Sequence, residues 1–137
     1  MNDAELIRAF NEAALPKEDW THEAHLRVRL LYSREYPFDE ALSRLRTAII
    51  RLNHAHGTVD TPTSGYHETV THAWLLVLRA ALQADDNHAD TRDILAAHPE
   101  FADKKYLLGY YSRDRIMSPE AKRSFVEPDL AKLPAHK

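Results

Sequence analysis

The 137-residue sequence contains no cysteine, which excludes disulfide bridges, thiolate metal ligands and a cysteine nucleophile. Glycine is almost as scarce, because only Gly57, Gly65 and Gly109 are present. Three glycines are too few for a turn-rich β fold or a glycine-rich phosphate-binding loop. No apolar stretch approaches the roughly 18 residues that a membrane span needs, and the first residues show no signal-peptide pattern. These absences predict a cytoplasmic protein that is not held by a membrane.

Charge of either sign is not concentrated in any part of the chain. The formal net charge is −3, and the acidic and basic residues are interspersed. Because nucleic-acid-binding proteins carry a basic face or a basic run, we expect no nucleic-acid partner. The sequence is 44% hydrophobic and 28% charged, as in ordinary globular proteins. Its length predicts a single domain over residues 1–137.

Signals for helix starts and ends recur along the sequence. Cap residues, prolines and glycines predict helices over about 2–16, 21–37, 39–57, 66–83, 90–98 and 99–111, and a short helix that starts at Ser118. Residues 57–65 form the one evident loop, with Gly57 closing the helix before it. No stretch alternates with the two-residue period of a strand. The sequence therefore predicts an all-α fold, a compact bundle of about five to seven helices, with a short helix and tail over 118–137 packing on it.

The second predicted helix carries polar residues in the middle of its apolar face. Three charged side chains share the side that we assign to solvent: Glu23, Arg27 and Arg34. The apolar arc is centred on His22, His25 and Arg29 instead. Buried imidazole and guanidinium groups are unfavourable without partners. This helix therefore predicts either a hydrogen-bonded network or a polar pocket.

The long helix that starts near Tyr66 repeats this arrangement. His67 and Thr71 fall within its apolar arc, whereas His72 falls on the solvent side. Glu68 lies in the first turn, where the helix dipole favours a carboxylate. From there its side chain is able to bend toward the mouth of a pocket.

We expect the second and fourth helices to pack together around a histidine-lined pocket that binds or transforms a small molecule. Histidine acts as an acid or base near neutral pH, and arginine binds carboxylate or phosphate groups bidentately. The sequence does not separate binding from catalysis. The expected catalytic residues are His22, His25, His67 and Glu68. The expected ligand-binding residues are Arg29, Tyr66, Thr71, Trp74 and His56.

Two alternatives stay open at this point. In the first, His22, His25 and His67 bind a divalent transition metal such as zinc, for which imidazole is a suitable ligand. In the second, the same side chains form a buried polar network in a structural or interaction module. A homodimer is a further expectation, because several aromatic residues are available for an interface: Trp20, Phe38, Tyr110 and Tyr111.

Three segments resemble a group of small bacterial proteins of unknown function. They are THEAHLRV at 21–28, GYHETVT at 65–71, and SPEA at 118–121 with VEPDL at 126–130. In that group the segments read THxxHLRVA, GYHET(I/V)T and SPEA…VEPDL, so the resemblance spans most of the chain. The group has no known activity to transfer. The resemblance implies that His22, His25, His67 and Glu68 are motif positions, while Arg29 stands where the group often has a small apolar residue.

Overall fold

The computed structural model describes residues 1–85 and 89–135, and α-helices dominate both ranges. Seven α-helices occur there: α1 (Asp3–Asn11), α2 (His22–Glu35), α3 (Phe38–Ala55), α4 (Glu68–Asp85), α5 (Thr91–Ala97), α6 (Arg113–Ile116) and α7 (Pro119–Arg123). Three short 3-10 helices also occur: Lys17–Asp19, Pro99–Ala102 and Tyr106–Gly109. The described residues contain no β-strand, only a single bridge between Thr61 and Ser64. The predicted all-α fold is confirmed.

The central element is α4, which is apolar on almost every side. From Ala73 to Leu78 every residue is buried, and burial resumes at Ala81 and Leu82. A helix that is apolar all round has to be enclosed by other elements. Here α2, α3 and α7 pack against it, so α4 forms the axis of the hydrophobic core.

The end of α3 closes as the sequence predicts. Gly57 has a φ of +71°, a left-handed conformation that glycine adopts without steric cost. The N–H groups of Gly57 and Thr58 donate to the carbonyls of His54 and Asn53, both at 3.0 Å. This is the Schellman arrangement of helix C-termini, and it sets the direction in which the loop leaves α3.

The prediction that Arg27 lies on the solvent side of α2 is wrong. Arg27, assigned above to solvent, is buried, because α1 and α5 pack against α2 in addition to α3 and α4. The Arg27 guanidinium donates to Thr91, to Asp3 and to the carbonyl of Met1. A helical-wheel projection with one apolar arc assigns the opposite side of the helix to solvent. This helix, however, has neighbouring helices on both sides.

The predicted helix over 99–111 is also wrong. The chain forms the 3-10 helices Pro99–Ala102 and Tyr106–Gly109 instead. Between them Asp103 has an extended backbone, with φ −76° and ψ 114°, which interrupts helical hydrogen bonding. Phe101 and Leu107 still reach the core, so the apolar spacing that suggested one helix is met by two short turns.

The segment after Ser118 packs on the bundle as far as the structure describes it. Ala121, Val126 and Leu133 are buried, and α7 packs against α4. The last two residues of the predicted tail, 136–137, lie outside the described residues. In the described ranges, no helix is both long and apolar enough to cross a membrane.

The burial of α2 predicts a large difference between two leucine truncations. Leu30 is fully buried, whereas Leu130 is 60% exposed. We expect Leu30→Ala to lower the free energy of unfolding by about 2–5 kcal/mol, since it leaves a cavity in the core. Leu130→Ala should change it by less than about 0.5 kcal/mol. Urea denaturation followed by circular dichroism measures both, and similar losses would contradict the packing described here.

Candidate functional site

A cleft with a volume of about 920 Å³ opens between the C-terminal half of α3, the loop that follows it, and α7. Its lining residues are Arg46, Ile50, Asn53, His54, Thr58, Asp60, Thr61, Pro62, Gly65, Tyr66, Glu68, Pro119, Lys122, Arg123, Ser124 and Phe125. The lining therefore combines apolar and charged side chains. Small-molecule sites have this mixture and this size.

The loop that forms one wall of the cleft is folded on itself. Thr61 and Ser64 exchange backbone hydrogen bonds at 3.1 and 3.2 Å, and the Ser64 hydroxyl donates to the carbonyl of Val59 at 2.7 Å. Gly65 has a φ of +89°. A Cβ atom on Gly65 would collide with the Asp60 side chain and lie 3.1 Å from its Cα, so glycine suits both the backbone conformation and the close approach of this wall.

Lys122 of α7 holds this loop against the rest of the cleft. Its Nζ donates to the Asp60 carboxylate and, at 2.9 Å, to the carbonyl of Tyr66. The Lys122 side chain is 14% exposed, so the ammonium group is largely withdrawn from water. The loop is thus attached at both sides, by the glycine-closed end of α3 and by α7.

The floor of the cleft is an Arg46–Glu68–Tyr66 network. Arg46 donates to both carboxylate oxygens of Glu68, from Nε at 2.8 Å and from Nη2 at 2.7 Å. The Tyr66 hydroxyl donates to Oε1 of the same carboxylate at 2.8 Å. Bidentate pairing of this kind fixes both side chains geometrically. Glu68 is buried, so its charge is neutralised within the protein.

The network moves the pKa values of its members away from neutral pH. Burial opposes ionisation of Glu68, but the hydrogen bonds from Arg46 and Tyr66 outweigh it, so the pKa of Glu68 is lowered. The hydrogen bond to Glu68 raises the pKa of Arg46. Burial, together with the same carboxylate, raises the pKa of Tyr66. Around neutral pH all three groups therefore keep one protonation state.

His22 and Trp74 belong to an aromatic cluster in the core rather than to the cleft. The His22 Nε2 donates to the carbonyl of Phe101 at 2.8 Å, and its ring meets the edge of Trp74 at 5.5 Å. Trp74 also stacks on Tyr106 at 5.4 Å. These contacts attach the two 3-10 helices to the start of α2 and the middle of α4.

His25 and Arg29 lie one turn apart on α2, outside the cleft. The His25 ring stacks on Trp20 with 3.7 Å between centroids. Burial first, and then the charge of Arg29, place the pKa of His25 well below its usual value. Arg29 is buried, and its Nη1 donates to the carbonyl of His25 at 3.0 Å.

His67 uses both ring nitrogens. Its Nδ1 accepts the backbone N–H of Val70 at 3.1 Å, so His67 caps the start of α4. Its Nε2 donates to the carbonyl of Ile116 at 2.8 Å. A ring that accepts at Nδ1 and donates at Nε2 is the neutral tautomer. Burial lowers the pKa of His67, and the nearby charge of Lys122 acts in the same direction.

The remaining ligand-binding candidates also lie outside the cleft. The Nε2 of His56 donates to the carbonyl of Leu15 at 2.7 Å. Thr71 is buried and does not line the cleft. Of the nine predicted site residues, only Tyr66 and Glu68 line the cleft.

The expected metal ligands are not brought together. Within residues 1–85 and 89–135, no group of three or more His, Asp or Glu side chains is arranged to hold a metal ion. His22 and His67 hydrogen-bond to carbonyls in different segments, Phe101 and Ile116. A metal on His67 would have to displace a hydrogen bond at one of its two nitrogens.

His72 was assigned to solvent, and this assignment is wrong in part. Its ring stacks on Phe125 with 3.8 Å between centroids and meets Phe38 at 5.1 Å. Phe125 belongs to the segment that follows α7. It covers the side of α4 that the sequence analysis assigned to solvent. The side chain is half-buried rather than exposed.

Sequence reasoning missed most of the charged residues that line the cleft. Arg46 reads as part of a solvated helix face, and Lys122, Arg123 and Asp60 show no pattern of their own. Their proximity depends on the loop folding back toward α7, more than 50 residues later.

Comparison with protein-family models, curated proteins and solved structures gave no match for this chain.

The double role of His67 predicts a measurable loss of stability on truncation. His67→Ala removes a helix cap, worth about 0.5–2 kcal/mol, and a hydrogen bond, worth about 1 kcal/mol. We expect its free energy of unfolding to fall by roughly 1–3 kcal/mol. His54→Ala, at an exposed position in the cleft, is the control and should change little. Chemical denaturation compares the two, and equal small effects would contradict the assigned role.

The lowered pKa values of His25 and His67 predict acid sensitivity. Below pH about 6.5 the unfolded chain takes up protons on these residues, while the folded rings stay neutral. Stability is therefore complete above pH about 6.5 and decreases as the pH falls below it, by at most ~1.4 kcal/mol per pH unit for each group. The double variant His25→Gln/His67→Asn should show a flatter profile.

This profile is measured by urea denaturation between pH about 7.5 and 5, a window chosen to limit the titration of carboxylates. His54→Gln serves as the matched control, since this ring is exposed. An unchanged slope in the double variant would show that other groups cause the acid sensitivity.

Proposed function

We propose that this domain binds a small organic anion with an apolar body in the cleft between α3, the 58–66 loop and α7. The observation that carries the proposal is the composition of the cleft wall. Ile50, Pro62, Pro119 and Phe125 give it apolar surface, and Arg123 stands among them. Sites that bind small molecules combine an apolar wall with a few placed polar groups.

The charges in the cleft favour a negatively charged ligand. Three cationic side chains line it against two carboxylates. Glu68 forms an ion pair with Arg46, and Asp60 forms an ion pair with Lys122. Among the described residues Arg123 has no such partner, so the cleft keeps one uncompensated positive charge. Guanidinium groups recognise carboxylate and phosphate through paired hydrogen bonds.

Binding is favoured over turnover by the protonation states at the cleft floor. A general acid or base works best with a pKa near the working pH. Glu68 has a lowered pKa, whereas Arg46 and Tyr66 have raised ones. These groups are suited to fix the shape of the cleft floor and its distribution of charge. This proposal moves the expected small-molecule site away from the three histidines and onto Tyr66 and Glu68.

Octanoate and octylamine provide a matched pair of probes, with the same chain and opposite charge. We expect octanoate to shift backbone amide signals of Ile50, Thr61 and Phe125 in two-dimensional NMR spectra, and octylamine to bind at least several-fold more weakly. Arg123→Ala should weaken octanoate binding about two- to five-fold, as for an exposed charge contact. The control is Arg113→Ala, an exposed arginine outside the cleft.

Two results would contradict the proposal. Equal affinity for the two probes would remove the charge argument. Octanoate-induced shifts that lie away from α3, the loop and α7 would remove the cleft as the site, whatever the affinity.

A further inference from the structure

Two arginines on α2 are buried two residues apart, and they differ in how their charge is compensated. Arg27 and Arg29 are 7% and 4% exposed. Arg27 donates from Nε to the Thr91 hydroxyl at 2.9 Å, and from Nη2 to the Met1 carbonyl at 2.9 Å and the Asp3 carboxylate at 3.2 Å. A carboxylate, a hydroxyl and a carbonyl thus satisfy this guanidinium, as expected for a buried arginine with a structural role.

Arg29 has no comparable set of partners. Its Nη1 donates to the carbonyl of His25, one turn earlier on the same helix. Its Nε is buried and has no hydrogen-bond partner among the residues that the structure describes. No carboxylate of residues 1–85 and 89–135 forms an ion pair with Arg29. The Tyr66 hydroxyl donates to Glu68, and no hydrogen bond joins it to Arg29 within the described residues.

The charge on Arg29 nevertheless persists at neutral pH. Burial lowers its pKa, but only to about 10. An unpaired buried charge is strongly unfavourable, and it is tolerated when a counter-ion reaches it. The fold therefore holds a cation whose partner the described chain does not provide.

His25 adds a second donor on the same side of the helix. It lies four residues before Arg29, so the two side chains share one face. One face of the His25 ring is stacked on Trp20, and its nitrogens form no hydrogen bond within the described residues. His25 is half-buried, whereas Arg29 is buried.

We propose that Arg29 and His25 form a second binding site, separate from the cleft, that takes a small oxyanion such as a carboxylate or phosphate group. The unpartnered Nε of Arg29 is a donor for one oxygen of such a group, and the His25 N–H supplies a further donor. Neither residue lines the cleft, so the site does not depend on the ligand proposed there. The contrast with Arg27 identifies Arg29 as the residue that awaits a ligand.

The test compares Arg29→Met with Arg27→Met in sodium acetate and in sodium phosphate, with ionic strength held constant by sodium chloride. Wild-type Tm should rise with either anion, by about 4 °C at ten times Kd, and continue to rise with the logarithm of the anion concentration above that. Arg29→Met should weaken the apparent affinity at least ten-fold. Arg27→Met should lower Tm in all buffers but keep the anion response within two-fold of wild type.

The same experiment carries an internal check without added anion. Removing an unpaired buried charge leaves Tm unchanged or higher, whereas breaking a satisfied pair lowers it. Arg29→Met should therefore have a higher Tm than Arg27→Met. A second readout on the wild-type protein is the Nε–H signal of Arg29 in ¹H–¹⁵N spectra, which should shift as the anion is added.

The choice between acetate and phosphate distinguishes the ligand group. A response to acetate alone identifies a carboxylate, and a response to phosphate alone identifies a phosphate; both support the site. A wild-type protein whose Tm does not rise with either anion at constant ionic strength would overturn the proposal. So would an Arg29→Met variant that responds as the wild type does.

Discussion

His67 satisfies hydrogen-bonding groups in two parts of the molecule at once, and the placement of the central helix depends on it. One ring nitrogen caps the first turn of α4, and the other holds the carbonyl at the end of α6. Only a neutral imidazole offers an acceptor and a donor on opposite sides of one small ring. The start of the most buried helix and the irregular C-terminal third are thereby fixed relative to each other. The cleft lies between these two parts, so its shape depends on the same side chain.

Two other histidines share the donating half of this arrangement. His22 and His56 donate to the carbonyls of Phe101 and Leu15, which lie in segments without regular α-helical hydrogen bonding. Buried carbonyls outside helices need donors from elsewhere, and a histidine reaches further than the serine or asparagine found at helix ends. Of the three histidines in the polar-network alternative, His22 and His67 hydrogen-bond within the protein, whereas the His25 ring stacks on Trp20.

The features that could be predicted from the sequence are those that depend on residues close together along the chain. The starts of α1, α2, α5 and α7 and the closure at Gly57 are local, since they follow from cap residues and backbone conformation, and they were predicted. The inward turn of Arg27 was not, because it depends on Asp3 and Thr91 from remote segments. The cleft had the same difficulty. Tyr66 and Glu68 stood out by their place at the start of a helix, whereas Lys122 became meaningful only when the loop folded onto α7.

The hydrogen bonds of the buried Arg27 to Asp3 and Thr91 have a consequence for how the chain folds. Its acceptors lie 24 residues before it and 64 residues after it, so the guanidinium is satisfied only when α1 and α5 are both docked on α2. If either helix opened alone, it would leave a desolvated charge behind. Local fluctuations of these short peripheral helices are therefore coupled to each other. Two elements too small to be stable alone become part of one cooperative unit.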